Sequence, residues 1–164
     1  MDLFILRHGK AGQSSDNPED SARKLSKAGR SEIRKVARWM KKKNLRFDCI
    51  ATSPLARAYQ TAEIVAKSLD LKDRLEVWDE LVPGGDLDTL CYHASQAGKD
   101  ASVILVGHEP GLSDLICRIV TGGDTASLVI AKGGMAKIRN FSFGDKPSGE
   151  LQWLLTPGHM LDMQ

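Results

Sequence analysis

The sequence predicts an α/β domain: a three-layer α/β/α sandwich around a mostly parallel, mixed central sheet. Two observations predict it. Short apolar runs alternate with segments of helical periodicity through the first two thirds of the chain, which is the pattern of strand–helix–strand units. The last third loses that periodicity and becomes short runs separated by Gly-rich turns, the pattern of hairpin-linked strands added at a sheet edge.

The opening stretch Met1 to Ala11 carries four consecutive large apolar residues, Leu3 to Leu6, and breaks at Arg7-His8-Gly9. Such a run is expected of a strand buried on both faces, as in parallel sheets. Gly12 to Ser21, with its Asn17-Pro18, reads as a loop. A helix is expected from Ser26, with Ile33, Val36, Ala37 and Met40 on one face, Gly29 as a mild cost in its first turn, and Lys41-Lys42-Lys43 at its negative end. Phe47 to Thr52 reads as the second strand. Ser53 as N-cap and Pro54 at the first helical position open a helix from Leu55 to Leu69. Leu75 to Trp78 is the third strand and Asp79 to Asp86 a Pro-Gly-Gly loop. A short helix from Leu87 to Gln96 follows, capped by Asp86. Ser102 to Val106 is the most apolar strand, and Pro110 opens a helix from Leu112 to Val120 closed by Gly122-Gly123. Ser127 to Ala131, Ala136 to Phe143 and Glu150 to Thr156 are the expected strands of the tail.

The length of 164 residues suits a single domain spanning 1–164. With 41% hydrophobic and 27% charged residues the composition is that of a globular protein. A net charge of +2 makes no electrostatic case for nucleic acid. No apolar run is long enough to span a membrane, and Asp2 stands where a signal peptide would be basic. Cys49, Cys91 and Cys117 lack metal-binding or redox spacing, so reduced thiols and a cytoplasmic location are expected.

Four sites fall at strand exits or helix entries: Arg7 with His8, Arg57, Glu80 and His108. In a mostly parallel sheet such ends share one edge, where open α/β folds place their ligands. Two Arg and two His beside helix amino ends make a pocket for a small dianion, because guanidinium forks match phosphate oxygens. A neutral His8, with one ring nitrogen donating to a backbone carbonyl, can attack phosphorus through the other. The chain has no Walker loop and no HxH pair, and Asp86-Leu87-Asp88 is a weak metal signal at a helix start. No metal or other cofactor is expected.

The segments FILRHGKA, TSPLARAYQTAE (Thr52 to Glu63) and LVGHEPGL (Leu105 to Leu112), in that order and spacing, resemble the histidine phosphatase superfamily. Within it the small size, the RHGKA form of the first motif and DELVPGGD look most like the SixA-type phosphohistidine phosphatases. The resemblance implies the phosphoglycerate mutase-like version of the fold. It implies His8 as a nucleophile that becomes phosphorylated, with Arg7, Arg57 and His108 binding the phosphoryl group. It implies a carboxyl proton donor, for which Glu80 ranks ahead of Glu109; a strong acid matters less for an imidazole leaving group, which can already be protonated or picks up its proton easily, than for an alkoxide. The implied substrate is phosphohistidine on a protein, such as a histidine phosphotransfer domain. The alternatives are a small-molecule phosphomonoesterase or mutase of the same superfamily, and a phosphoprotein-binding module without turnover. The short stretch from Leu69 to Ala101 leaves little room for a covering insertion, so an open pocket is expected. His93 and His159 read as structural or solvated, Gln13 and Ser14 as loop residues that could touch phosphate, and Trp39, Trp78 and Trp153 as packing.

Overall fold

The computed structural model describes residues 1–12, 22–123 and 127–163. The expected contacts of Gln13 and Ser14, and the loop from residue 13 to Ser21, lie outside the described residues. The chain order is β1 (Asp2–Arg7), α1 (Lys27–Lys42), β2 (Cys49–Thr52), α2 (Ala56–Leu69), β3 (Leu75–Val77), α3 (Leu87–Ser95), β4 (Ser102–Gly107), α4 (Gly111–Thr121), β5 (Met135–Phe143), β6 (Pro147–Leu155) and α5 (Pro157–Asp162).

One six-stranded sheet runs β3-β2-β4-β1-β5-β6. The first four of these strands are mutually parallel, and β5 and β6 join antiparallel. The fold is therefore the expected α/β/α sandwich with a mixed sheet. Each face of the sheet carries its own core. Phe4, Leu6, Ile50, Ile104 and Val106 pack with the apolar stripes of α1 and α2. Leu3, Ile5, Val103 and Leu105 pack on the other face with residues of α3 and α4. Alternate residues of β1 and β4 thus enter opposite cores, which explains why both strands read as unbroken apolar runs.

The register determines what meets at the carboxyl edge. Arg7 lies opposite Gly107, and Thr52 opposite Val106. The residues that follow, His8, His108 and Ser53, therefore leave the sheet side by side.

Local expectations hold for most helix ends. The Ser26 hydroxyl accepts from the Gly29 amide, and Asp86 accepts from the Thr89 amide. Gly122 closes α4 in the left-handed conformation. Gly29 has a reason beyond tolerance: a Cβ there would run into the backbone of Lys10, so the start of α1 packs directly on the loop after His8.

Three expectations are corrected. Ser53 is not the N-cap of α2; that position is Leu55, which makes no side-chain cap, because Ser53 still belongs to the sheet, its amide donating to Val106 O at 3.0 Å, while its hydroxyl accepts from the Leu55 amide at 3.3 Å and lies 2.9 Å from His108 Nε2. Ser127 to Ala131 forms no strand; both polar groups of the Ile130 backbone are taken by side chains instead of a ladder. The tail ends in a helix that was not expected, α5, started by Thr156 as N-cap with Pro157 behind it and His159 completing a capping box.

Candidate active site

The carboxyl edge brings His8, Arg57, His108 and Ser53 into one buried cluster. His8 is fixed first by its neighbours in sequence and sheet. Its amide donates to Gly107 O at 3.1 Å, and its Nδ1 lies 2.7 Å from Gly9 O. A carbonyl can only accept, so Nδ1 carries the proton in that contact and Nε2 keeps its lone pair. Arg57 Nε donates to that Nε2 at 3.3 Å.

Burial pushes the His8 pKa down to about 4. The hydrogen bond to Gly9 opposes this, and the cations Arg57, Arg7 and Lys132 reinforce it. His8 is therefore a neutral imidazole across the physiological range. The linkage has a definite sign. Between pH 6.5 and about 4 the unfolded chain takes up a proton at this position that the folded chain refuses, so His8 lowers stability as pH falls through that window. Wild type is expected to lose more stability from pH 7 to pH 4.5 than His8→Asn does, by urea unfolding at the two pH values. Equal losses would refute the depressed pKa.

The other members are held from different elements. Arg57 is in the first turn of α2; its carbonyl accepts from Thr61 Oγ1 at 2.7 Å, and Thr61 Oγ1 in turn accepts from the Gly9 amide at 3.1 Å. Thr61 thus ties α2 to the loop that carries His8. His108 Nε2 lies 2.9 Å from Ser53 Oγ, and the two imidazole rings of His8 and His108 are 5.0 Å apart at a 53° tilt. Arg7 Nη1 donates to Ile130 O at 2.7 Å, which sets the direction of its guanidinium.

The two carboxylates are placed differently. Glu109 accepts from the Ser113 amide and hydroxyl and from the Ile130 amide, so it brackets the start of α4 to the 127–130 segment. Those bonds occupy both of its oxygens. Glu80 lies in a single 3-10 turn, Asp79–Leu81, and lines a cavity of about 120 Å³ together with His108. Of the two, Glu80 is the one that lines this cavity beside His108.

Sequence reasoning missed three contributors. Ser53 was hidden by its fit to a capping pattern. Thr61 was legible as a hydroxyl one turn after Arg57 on the same helix face. Lys132, which acts on the His8 charge, follows the segment misread as a strand.

A cluster of this kind offers a nucleophilic nitrogen, with guanidinium and imidazole groups around it, at the exit of a parallel sheet. The model of the histidine phosphatase superfamily (branch 1) matches residues 3–83. The phosphohistidine phosphatase SixA of Escherichia coli is 30% identical over 159 residues, covering 96% of this chain and 94% of that protein. The chain belongs to the histidine phosphatase superfamily. An uncharacterised protein of a Picosynechococcus strain is also similar, at 35% identity over 142 residues, 85% of this chain and 86% of the relative. The solved structure of the protein histidine phosphatase SixA complexed with tungstate superposes with a TM-score of 0.83 at 28% identity, covering 100% of both chains. The fold and the enzyme class read from the motifs are thereby established: this chain is a histidine phosphatase. Among the described residues no helix is long and apolar enough to cross a membrane.

Proposed function

We propose that this histidine phosphatase removes the phosphoryl group from phosphohistidine on a protein, by way of a phosphohistidine formed at its own His8 and without a metal. The observation that carries the reading is the His8 Nδ1 contact to Gly9 O at 2.7 Å, which leaves Nε2 as the nucleophile of a neutral ring. Similarity to the phosphohistidine phosphatase SixA supports the substrate class.

In the first step Nε2 of His8 attacks phosphorus while the P–N bond to the substrate imidazole breaks. The guanidiniums of Arg7 and Arg57, with His108, take the charge on the equatorial oxygens. Ser53 keeps His108 turned toward them. The departing imidazole is a good leaving group once protonated. Glu80 supplies that proton, and its place on the cavity shared with His108 supports this assignment. In the second step a water gives its proton to the Glu80 carboxylate and its oxygen to phosphorus. The P–Nε2 bond breaks, and His8 returns to the neutral form still protonated on Nδ1. His8 acts as the nucleophile and the other side chains act by charge, position or proton transfer, so these steps call on no metal.

The test is a substrate comparison. A phosphorylated histidine phosphotransfer domain should turn over with kcat/KM at least about tenfold above that for sugar phosphates, with and without a chelator. Faster turnover of the sugar phosphates would reject the protein substrate. Loss of activity to the chelator would reject the metal-free reaction.

A further inference from the structure

Glu80 is a flexible side chain on a one-turn helix, so something must hold its carboxyl if it is to deliver a proton in a fixed direction. Its backbone is constrained by Gly85, which folds back so closely that a Cβ there would overlap the Glu80 carbonyl. Its side chain meets α3. His93 Nδ1 stands 3.4 Å from Glu80 Oε1. The His93 ring is itself held: it lies flat on the Trp78 indole, with centroids 3.8 Å apart and planes 13° from parallel. Trp78 is buried, its amide donates to Thr52 O at the end of β2, and its indole N–H donates to Glu76 at 2.9 Å. A continuous run of contacts therefore leads from the sheet through Trp78 and His93 to the Glu80 carboxyl. The sequence had suggested no partner for His93.

We propose that His93 is a positioning residue for this reaction, holding the Glu80 carboxyl toward the leaving-group side of the cavity. The proposal rests on the reading of Glu80 as the proton donor. The proton moves from the Glu80 carboxyl to the leaving atom as its bond to phosphorus breaks. His93 touches neither the substrate nor the transferred phosphoryl group, and acts by restricting the rotamers of Glu80. Such an effect grows with the proton demand of the leaving group, whereas a general loosening of the fold would slow all substrates alike.

The experiment measures kcat/KM on aryl phosphates of graded leaving-group acidity for wild type, Glu80→Gln, His93→Ala, His93→Asn and the Glu80→Gln/His93→Ala double variant. His93→Ala should lose about tenfold on phenyl phosphate and about twofold on p-nitrophenyl phosphate. His93→Asn, whose amide nitrogen takes the place of Nδ1 and can donate to Oε1, should recover most of the loss. The double variant should be no slower than Glu80→Gln, because His93 acts through Glu80. An equal loss on every substrate, or losses that add in the double variant, would overturn the positioning role while leaving Glu80 as donor. A Glu80→Gln loss of the same size on every leaving group would remove the donor assignment and the positioning role together, without touching His8.

Discussion

His8→Ala is expected to lower turnover of any phosphorylated substrate by about 10⁴-fold or more, since it removes the proposed nucleophile. Rapid acid-free quenching of wild type with radiolabelled substrate should show a covalent phosphoenzyme that is labile to acid, and the variant should show none. The ring is buried and hydrogen-bonded on both sides, to Gly9 and to Arg57, so deleting it also leaves a hole beside two cations. His8→Asn is the companion variant, because its amide can still donate to the Gly9 carbonyl. A folded His8→Asn protein, verified by its unfolding transition, should be as inactive as His8→Ala. Wild-type rates in either would end the nucleophile assignment.

Arg57→Ala carries the second largest effect. Its guanidinium lies against the His8 ring, where the proposed mechanism develops charge on the transferring phosphoryl group. Removing one donor of this kind costs about 10²–10³-fold in rate, or about 3 kcal/mol. Arg57→Lys should recover little, because an ammonium lacks the planar fork that meets two phosphate oxygens at once. A second consequence follows from sign. Arg57 is one of the groups that hold the His8 pKa down, so its loss should raise that pKa and move the acid limb of kcat/KM to higher pH. Steady-state kinetics from pH 4.5 to 8 would show both effects. A variant that keeps its rate and its acid limb would remove Arg57 from the site.

The parts of this site legible in the sequence are those whose local pattern and final position agree. The Leu3 to Leu6 run could only be a buried strand, and the residues after it had to leave the sheet at its carboxyl edge. Because β4 pairs with β1 in parallel, Arg7 opposite Gly107, the exit of one strand predicts the company of the other. The misreadings arise where a tertiary partner outbids a local one. Ser53 has the sequence of a helix cap, yet its own amide is still held by Val106 of β4, and its hydroxyl is shared between the Leu55 amide and a buried imidazole 2.9 Å away. The 127–131 stretch has strand composition, but Glu109 and Arg7 take the hydrogen bonds that a ladder would need. His93 had no partner in sequence because Trp78 and Glu80 reach it from another element. The terminal helix did carry its signal: Thr156-Pro157 is a start pattern, outweighed by the β character of what precedes it.

The Ile130 peptide unit joins two of these features, giving its N–H to Glu109 and its carbonyl to Arg7. A free arginine side chain carries about 2 kcal/mol of rotamer entropy, most of it lost when the guanidinium grips an anion. Here much of that freedom is surrendered during folding, since the Ile130 carbonyl has already selected the conformation. Any oxyanion that reaches Arg7 meets a prearranged cation and is spared most of the ordering penalty. Glu109, read from sequence as a possible acid, thereby helps to set the direction of Arg7 through the peptide unit that lies between them.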